Sequence, residues 1–402
     1  MRLLKRRRDT DIITVMTGGT QDDSVQGDTN VSPVDSSGSS NTQCVTHARP
    51  ARAPQSFDRK LAMAAACLVA SFVIADVALR FLPLGPHGYD PPRFEPNGVP
   101  FTRIENGPHL YQPSARFASV YDLAGDARGY FGSAGRIEYE INSLGLRGPL
   151  PPVEKGADVY RVICLGDSFT FGEGVKEGDT WPRQLERLLA SRMPGRRVEV
   201  INAGIQAYDT KDAAALYLLK LAAYKPDAVI LGFCLNDATD AAETIRQNEA
   251  TKKGFERSPL ARVSRIAEIV ERRRATDRLQ REFFDTTRRG FDSPKWQTCR
   301  DVLTGMARVS KEDAFRFVVA IFPIFWSLDD QYPFADLHTR IAGACQTAGC
   351  ECVDLLPIFR SDAAAKGRTA EAYWVHPTDQ HPNEIACRLA AERIAAALAP
   401  PK

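Results

Sequence analysis

From Asp158 onward, short apolar runs rich in β-branched residues alternate with stretches of helical periodicity, and this rhythm limits the fold more than any other feature. Strands are expected at 159–165, 198–203, 228–234, 315–322 and 351–355. Thr180 precedes a helical stretch with Leu185, Leu188 and Leu189 on one face, and Thr210 precedes another carrying Ala213, Leu216 and Leu219. A last helix is expected over 383–398. Repeated βαβ units force parallel strands with helices on both faces, so the expectation is an α/β fold built on a five-stranded parallel sheet. Ligands of such sheets bind outside the carboxyl ends of the strands.

The chain ahead of this region reads differently. Residues 1–57 are rich in Ser, Thr, Asp, Gly and Gln, with a basic start at Lys5-Arg6-Arg7-Arg8, and are expected to be a disordered tail. An apolar stretch follows within 58–84, and its part 61–79 is close to the ~20 residues a membrane crossing needs. Its one acid, Asp76, lies near an end, where it can reach the interface. Lys5, Arg6, Arg7, Arg8, Arg49, Arg52, Arg59 and Lys60 all precede the apolar stretch, which predicts a cytoplasmic tail and a single-pass anchor with the bulk of the chain on the periplasmic side. Residues 85–157, rich in Pro, Gly and aromatics, are expected to be a small β-rich lead-in to a main domain at 158–400. The strand–helix rhythm is interrupted over about 240–308 by a helical insertion whose segment 262–289 is heavily charged. A solvated helix face is the plain reading of those charges, and the position suits a lid over a site.

The 402 residues are 44% hydrophobic and carry a net charge of +2, with basic residues dispersed apart from two short clusters. That balance offers no footprint for nucleic acid. None of the nine cysteines forms a C-x-x-C pair, so no zinc site is encoded by spacing. Cys164 and Cys234 fall inside strand runs as small hydrophobes, whereas Cys345, Cys350 and Cys352 cluster and could supply one disulfide in an oxidising compartment.

Chemistry enters with Gly166-Asp167-Ser168, directly after the first strand of the repeat. A serine hydroxyl needs a base to take its proton, usually a histidine held by a carboxylate. Of six histidines, His47 lies in the tail, His87 and His109 lie in the lead-in, and His338 lies on an expected helix. The loop before the last helix holds His376 and His381, and His381 is the better base because Asp379 stands two residues before it on extended chain. Asn202-Ala203-Gly204 closes the second strand and Gly232 to Asn236-Asp237 the third, offering the Gly204 N–H and the Asn236 amide to an oxyanion.

This set of blocks resembles the SGNH (GDSL-type) hydrolase family over about residues 158–398. Gly166-Asp167-Ser168 is similar to its first block, Gly204 to its second, Gly232 to Asn236 to its third and Asp379 to His381 to its last. Ser-Phe-Thr-Phe-Gly from Ser168, with Asn142-Ser143-Leu144-Gly145-Leu146-Arg147 upstream, is similar to a membrane-anchored bacterial branch. The resemblance implies a three-layer, flavodoxin-like SGNH fold. It also implies Ser168 as nucleophile, His381 as base and Asp379 as its orienter, with Ser168 N–H, Gly204 N–H and the Asn236 amide as oxyanion donors. The family more often places Asp three residues before His; here the spacing is two. An α/β-hydrolase elbow would need Gly-x-Ser-x-Gly, and this chain has threonine at position 170.

The expected reaction is hydrolysis of a carboxylic ester, with an O-acyl group on an envelope glycan or lipid as substrate. Transfer of the acyl group to a glycan hydroxyl is the alternative, since the acceptor is chosen by the pocket rather than by the triad. A non-catalytic glycan-binding module is the third reading. Neither a metal nor an organic cofactor is required, and Gly172-Glu173-Gly174 lacks the spacing and lysine of a phosphate loop.

Overall fold

A computed structural model describes residues 56–81, 92–96, 98–239 and 258–398. The tail expected at 1–57 falls outside these residues up to position 55, as does 240–257 of the insertion. Two compact units divide the described chain, one holding 92–239 with 270–398 and the other the N-terminal helix with 258–269.

The lead-in belongs to the first unit. It supplies β1 (Arg93–Glu95), β2 (Phe101–Arg103), β3 (His109–Tyr111), β4 (Arg116–Val120) and β5 (Arg136–Glu140). β4 pairs antiparallel with both β1 and β5, and β2 pairs antiparallel with β3. β5 shows the period-2 pattern of a half-buried strand, with Ile137 and Tyr139 inward and Glu138 and Glu140 outward. The rings of Tyr111 and Tyr139 pack 5.0 and 5.1 Å from Phe171, so the lead-in shares its apolar core with the main sheet.

That sheet contains β6 (Val159–Gly166), β7 (Arg197–Gly204), β8 (Ala228–Phe233), β9 (Arg316–Ile321) and β10 (Glu351–Asp354). Every expected strand is present, each boundary within one residue of its expected place. The order is β10-β9-β8-β6-β7, all parallel. This is the doubly wound, flavodoxin-like order, whose direction reverses between β6 and β8. All eight positions of β6 are buried, which explains why its sequence is continuously apolar rather than alternating.

Gly166, Gly204 and Gly232 lie side by side across β6, β7 and β8. A Cβ at Gly204 would stand 2.1 Å from the Phe171 nitrogen, and one at Gly232 would stand 2.5 Å from Thr170 Oγ1. The glycine row lets the turn after β6 lie flat across the strand ends.

The flanking helices start largely where expected. Thr180 caps Trp181–Arg192. At the next helix the cap is Asp209 rather than Thr210: its carboxylate accepts from Asp212 N–H at 2.9 Å, and Thr210 is the first helical residue. Helix Pro294–Glu312 buries Trp296, Cys299, Leu303 and Met306. It connects β8 to β9 as a sheet-covering helix, so the insertion proper ends before it. Asn383 caps the final helix, Glu384–Leu398, by accepting from the N–H groups of Ile385 and Ala386. All eight cysteines among the described residues, Cys345, Cys350 and Cys352 included, are free thiols.

The second unit holds helix Ser56–Leu79, whose stretch Asp58–Leu79 contains an 18-residue window with a mean hydropathy of 2.2 and is long and apolar enough to cross a membrane. Its acid is used rather than merely tolerated. Asp76 Oδ1 accepts from Ser264 Oγ–H at 2.7 Å and from Ile266 N–H at 2.9 Å, at the start of helix Arg265–Phe291. A carboxylate at a helix amino terminus satisfies otherwise orphaned N–H groups and complements the helix dipole.

Candidate active site

The site forms at the carboxyl end of β6, beside the point where the strand order reverses. Gly166 leaves the sheet, Asp167 caps a single helical turn by accepting from Phe169 N–H at 2.9 Å, and Ser168 is the first residue of that turn, Ser168–Phe171. Gly172 ends the turn at a φ of 83°, a left-handed conformation that favours glycine.

A hairpin of β11 (Trp374–His376) and β12 (Asp379–Pro382) brings in the other partners. Residues two apart on a strand share a face. Asp379 Oδ1 accordingly accepts from His381 Nδ1 at 2.5 Å, and His381 Nε2 lies 2.9 Å from Ser168 Oγ. Asp379 also accepts the His381 backbone N–H at 3.1 Å and, on Oδ2, the Tyr121 hydroxyl at 2.8 Å. His376 points elsewhere: its ring nitrogens are occupied by Thr378 Oγ1 and the Asp122 carbonyl.

One of the expected oxyanion donors has a partner of its own. Gly204 N–H donates to Asn202 Oδ1 at 3.0 Å. Asn236 is exposed, three residues beyond the end of β8. Three residues beyond Gly204, Ala207 is exposed with a φ of 63°, and its N–H meets no acceptor among the described residues.

Charge is concentrated around His381. Burial pushes the Asp379 carboxyl up, but the His381 ring, its N–H donors and Tyr121 hold it below the usual range. Burial opposes charge on His381 as well, yet the Asp379 and Glu173 carboxylates outweigh it and raise the ring above its ordinary value. Glu173, itself pushed up by burial, places Oε2 3.7 Å from His381 Nε2. Burial likewise raises Asp167. Glu173, Asp379 and His381 bring three ligand-type atoms within 4.8 Å of one another. Because Asp379 and Ser168 already occupy the two ring nitrogens, the group reads as a proton network rather than an ion cage.

Sequence reasoning passed over Glu173, Tyr121 and Ala207. Glu173 sits in a glycine-flanked loop whose sequence, Gly172-Glu173-Gly174, carries no local signal for a partner 208 positions away. Tyr121 is 258 positions from its partner, and an alanine gives no warning of a left-handed turn.

A flavodoxin-like sheet with serine, imidazole and carboxylate in hydrogen-bonded series at its switch point defines a hydrolase. The chain belongs to the GDSL-like lipase/acylhydrolase family, whose model matches residues 164–384. It is therefore an ester-bond hydrolase of the SGNH type. No curated protein matched the chain. Among solved structures it is similar to a lipolytic protein of the G-D-S-L family from Desulfitobacterium hafniense DCB-2, at 16% identity over 59% of this chain and 99% of that one, with a TM-score of 0.36. It is also similar to the acetyl xylan esterase AlAXEase, at 15% identity over 59% and 99% of the two chains, with a TM-score of 0.37. A catalytic mutant of Axe2, an acetylxylan esterase from Geobacillus stearothermophilus, matches at 13% identity over 59% and 93%, with a TM-score of 0.38.

Proposed function

We propose that this chain is a membrane-anchored serine esterase that removes O-acyl groups from a glycan or lipid on the periplasmic face of the membrane. The observation that carries the chemistry is the unbroken series from Ser168 Oγ through His381 to Asp379, at 2.9 and 2.5 Å. With its Nδ1 proton held by Asp379, His381 presents a bare Nε2 to the serine. As Ser168 Oγ attacks the ester carbonyl carbon, the hydroxyl proton passes to Nε2. The oxyanion is met by Ser168 N–H, the Asn236 amide and the strand exit after β7, from the N–H of Gly204 or of Ala207. Collapse expels the alcohol, which takes the proton from Nε2. Water, deprotonated by His381, then attacks the acyl carbon, and the acid leaves as Ser168 Oγ takes the proton back from Nε2.

The proposed address rests on the apolar helix at 58–79 and on the basic residues that precede it. To test the activity, full-length protein in detergent is given p-nitrophenyl acetate, then acetylated oligosaccharide. Release of free acid by the wild type and a loss of several orders of magnitude in Ser168→Ala is expected. Acyl transfer to added sugar in place of free acid would make it a transferase, and equal rates in both proteins would sink the proposal. For topology, a reporter fused at Lys402 that works only in the cytoplasm would contradict the periplasmic placement.

A further inference from the structure

We infer that Glu173 is a second catalytic carboxylate, one that faces the Nε2 edge of His381 and strengthens the ring as a base toward the Ser168 hydroxyl. The inference rests on the serine-esterase reading above and adds a residue to it. Asp379 holds Nδ1, on the far side of the ring from the chemistry. Glu173 Oε2 lies 3.7 Å from Nε2, the atom that also meets Ser168.

Glu173 is fixed in that position from three directions. Gln206 Nε2 donates to Glu173 Oε2 at 2.7 Å, and Gln206 Oε1 in turn accepts from the Tyr111 hydroxyl at 3.1 Å. Arg147 donates to the carbonyls of Phe171, Gly172 and Val175, which clamps the loop on both sides of Glu173. The flanking glycines are packed too closely for side chains. A Cβ at Gly172 would stand 2.5 Å from Thr180 Cγ2, and one at Gly174 would stand 2.3 Å from Val375 Cγ1. A carboxylate held this firmly beside a reacting nitrogen, with 9% of its residue surface exposed, acts through a short, poorly screened distance.

In acylation, the Ser168 O–H bond breaks, Nε2–H forms, and Oγ bonds to the acyl carbon. The imidazolium so formed lies between two carboxylates. It later returns its proton to the leaving alkoxide, and Glu173 gains no proton in either step. The other groups facing this cluster are Asp167 ahead of Ser168, Asp379 on β12, and the phenols of Tyr111, Tyr121 and Tyr139. The three phenols are pushed up by burial and stay neutral, and Arg147 is the one buried cation nearby, with both terminal nitrogens directed to backbone carbonyls among the described residues.

The sign of the effect follows. A carboxylate beside Nε2 favours the charged ring, so removing it lowers the pH at which His381 loses its proton. The acidic limb of kcat/KM then moves to lower pH, while the plateau falls because the base is weaker. The test is a histidine-labelled NMR titration of full-length protein in micelles, with His381→Gln used to assign the signal, alongside p-nitrophenyl acetate rates across pH. Glu173→Gln, which keeps an acceptor for Gln206, should shift the His381 midpoint and the kinetic limb down by about one unit or more and lower the plateau about tenfold. A midpoint and limb that do not move would overturn the inference. If Glu173→Gln fails to fold, Glu173→Asp retracts the carboxylate by one methylene and should give a smaller shift of the same sign; an unmoved midpoint there overturns it equally. Should no variant, wild type included, hydrolyse the ester, the esterase reading fails, and the NMR midpoint still decides the role of Glu173.

Discussion

Tyr121 donates its hydroxyl proton to Asp379 Oδ2 across 2.8 Å, while the opposite oxygen of the same carboxylate holds His381 Nδ1 at 2.5 Å. A residue of the lead-in thereby holds the carboxylate that bonds His381. On a short Asp-x-His strand the carboxylate is tied to its histidine on one side only, and Tyr121 closes the other. Tyr121→Phe keeps the ring stacked on Phe131, 4.4 Å away, and removes only the donor. Hydrogen bonds to charged groups contribute ~1.5–3 kcal/mol, so kcat on p-nitrophenyl acetate should fall about tenfold or more, with little change in melting temperature. An unchanged kcat would show that Asp379 does not depend on Tyr121.

Asp379→Asn keeps the shape of the side chain and reverses its hydrogen-bonding preference at Nδ1. The wrong tautomer then faces Ser168, and turnover should drop about 10⁴-fold, the loss this substitution causes in other serine triads. Single-turnover kinetics would measure it. A rate within a few-fold of wild type would mean that another group orients His381.

The glycine row predicts a contrast in stability. Gly204→Ala puts a Cβ 2.1 Å from a backbone nitrogen that cannot move without displacing Ser168, and should cost about 3 kcal/mol or more in denaturant unfolding. Gly305, inside helix Pro294–Glu312, has nothing within 4 Å of an added Cβ. There the alanine should be harmless or stabilise by up to ~1 kcal/mol. Equal effects at the two positions would refute the role given to the row.

Arg147 is fully buried and stacks over Tyr139 and Phe171 while donating to three carbonyls. A lysine has neither the planar fork nor the stacking face. Arg147→Lys should therefore lower the melting temperature by several degrees and reduce kcat, since the loop it clamps carries Glu173. A variant that melts and turns over like wild type would contradict this.

The sheet was legible chiefly because its central strands β6 and β8 are buried along their whole length, and burial writes itself into sequence as unbroken apolar runs. Ser168, Asp379 and His381 were legible because each stands at a strand end or on extended chain, where local spacing sets direction. Tyr121, Glu173 and Gln206 were not, because their roles come from contacts between segments far apart in the chain. Asp209 displaced Thr210 as a cap because a carboxylate one residue earlier satisfies the same orphan N–H groups. Spacing placed Asp76 near an end of the apolar helix, but its bonds to Ser264 and Ile266 join segments nearly 190 positions apart and leave no local signal.

The central claim is that Ser168 is the nucleophile. Full-length wild type and Ser168→Ala, treated with a fluorophosphonate and digested, can be compared by mass spectrometry. The account predicts one adduct on the wild type, at Ser168, and none on the variant. Labelling that persists in Ser168→Ala, or that is absent from both proteins while the wild type hydrolyses ester, would contradict it.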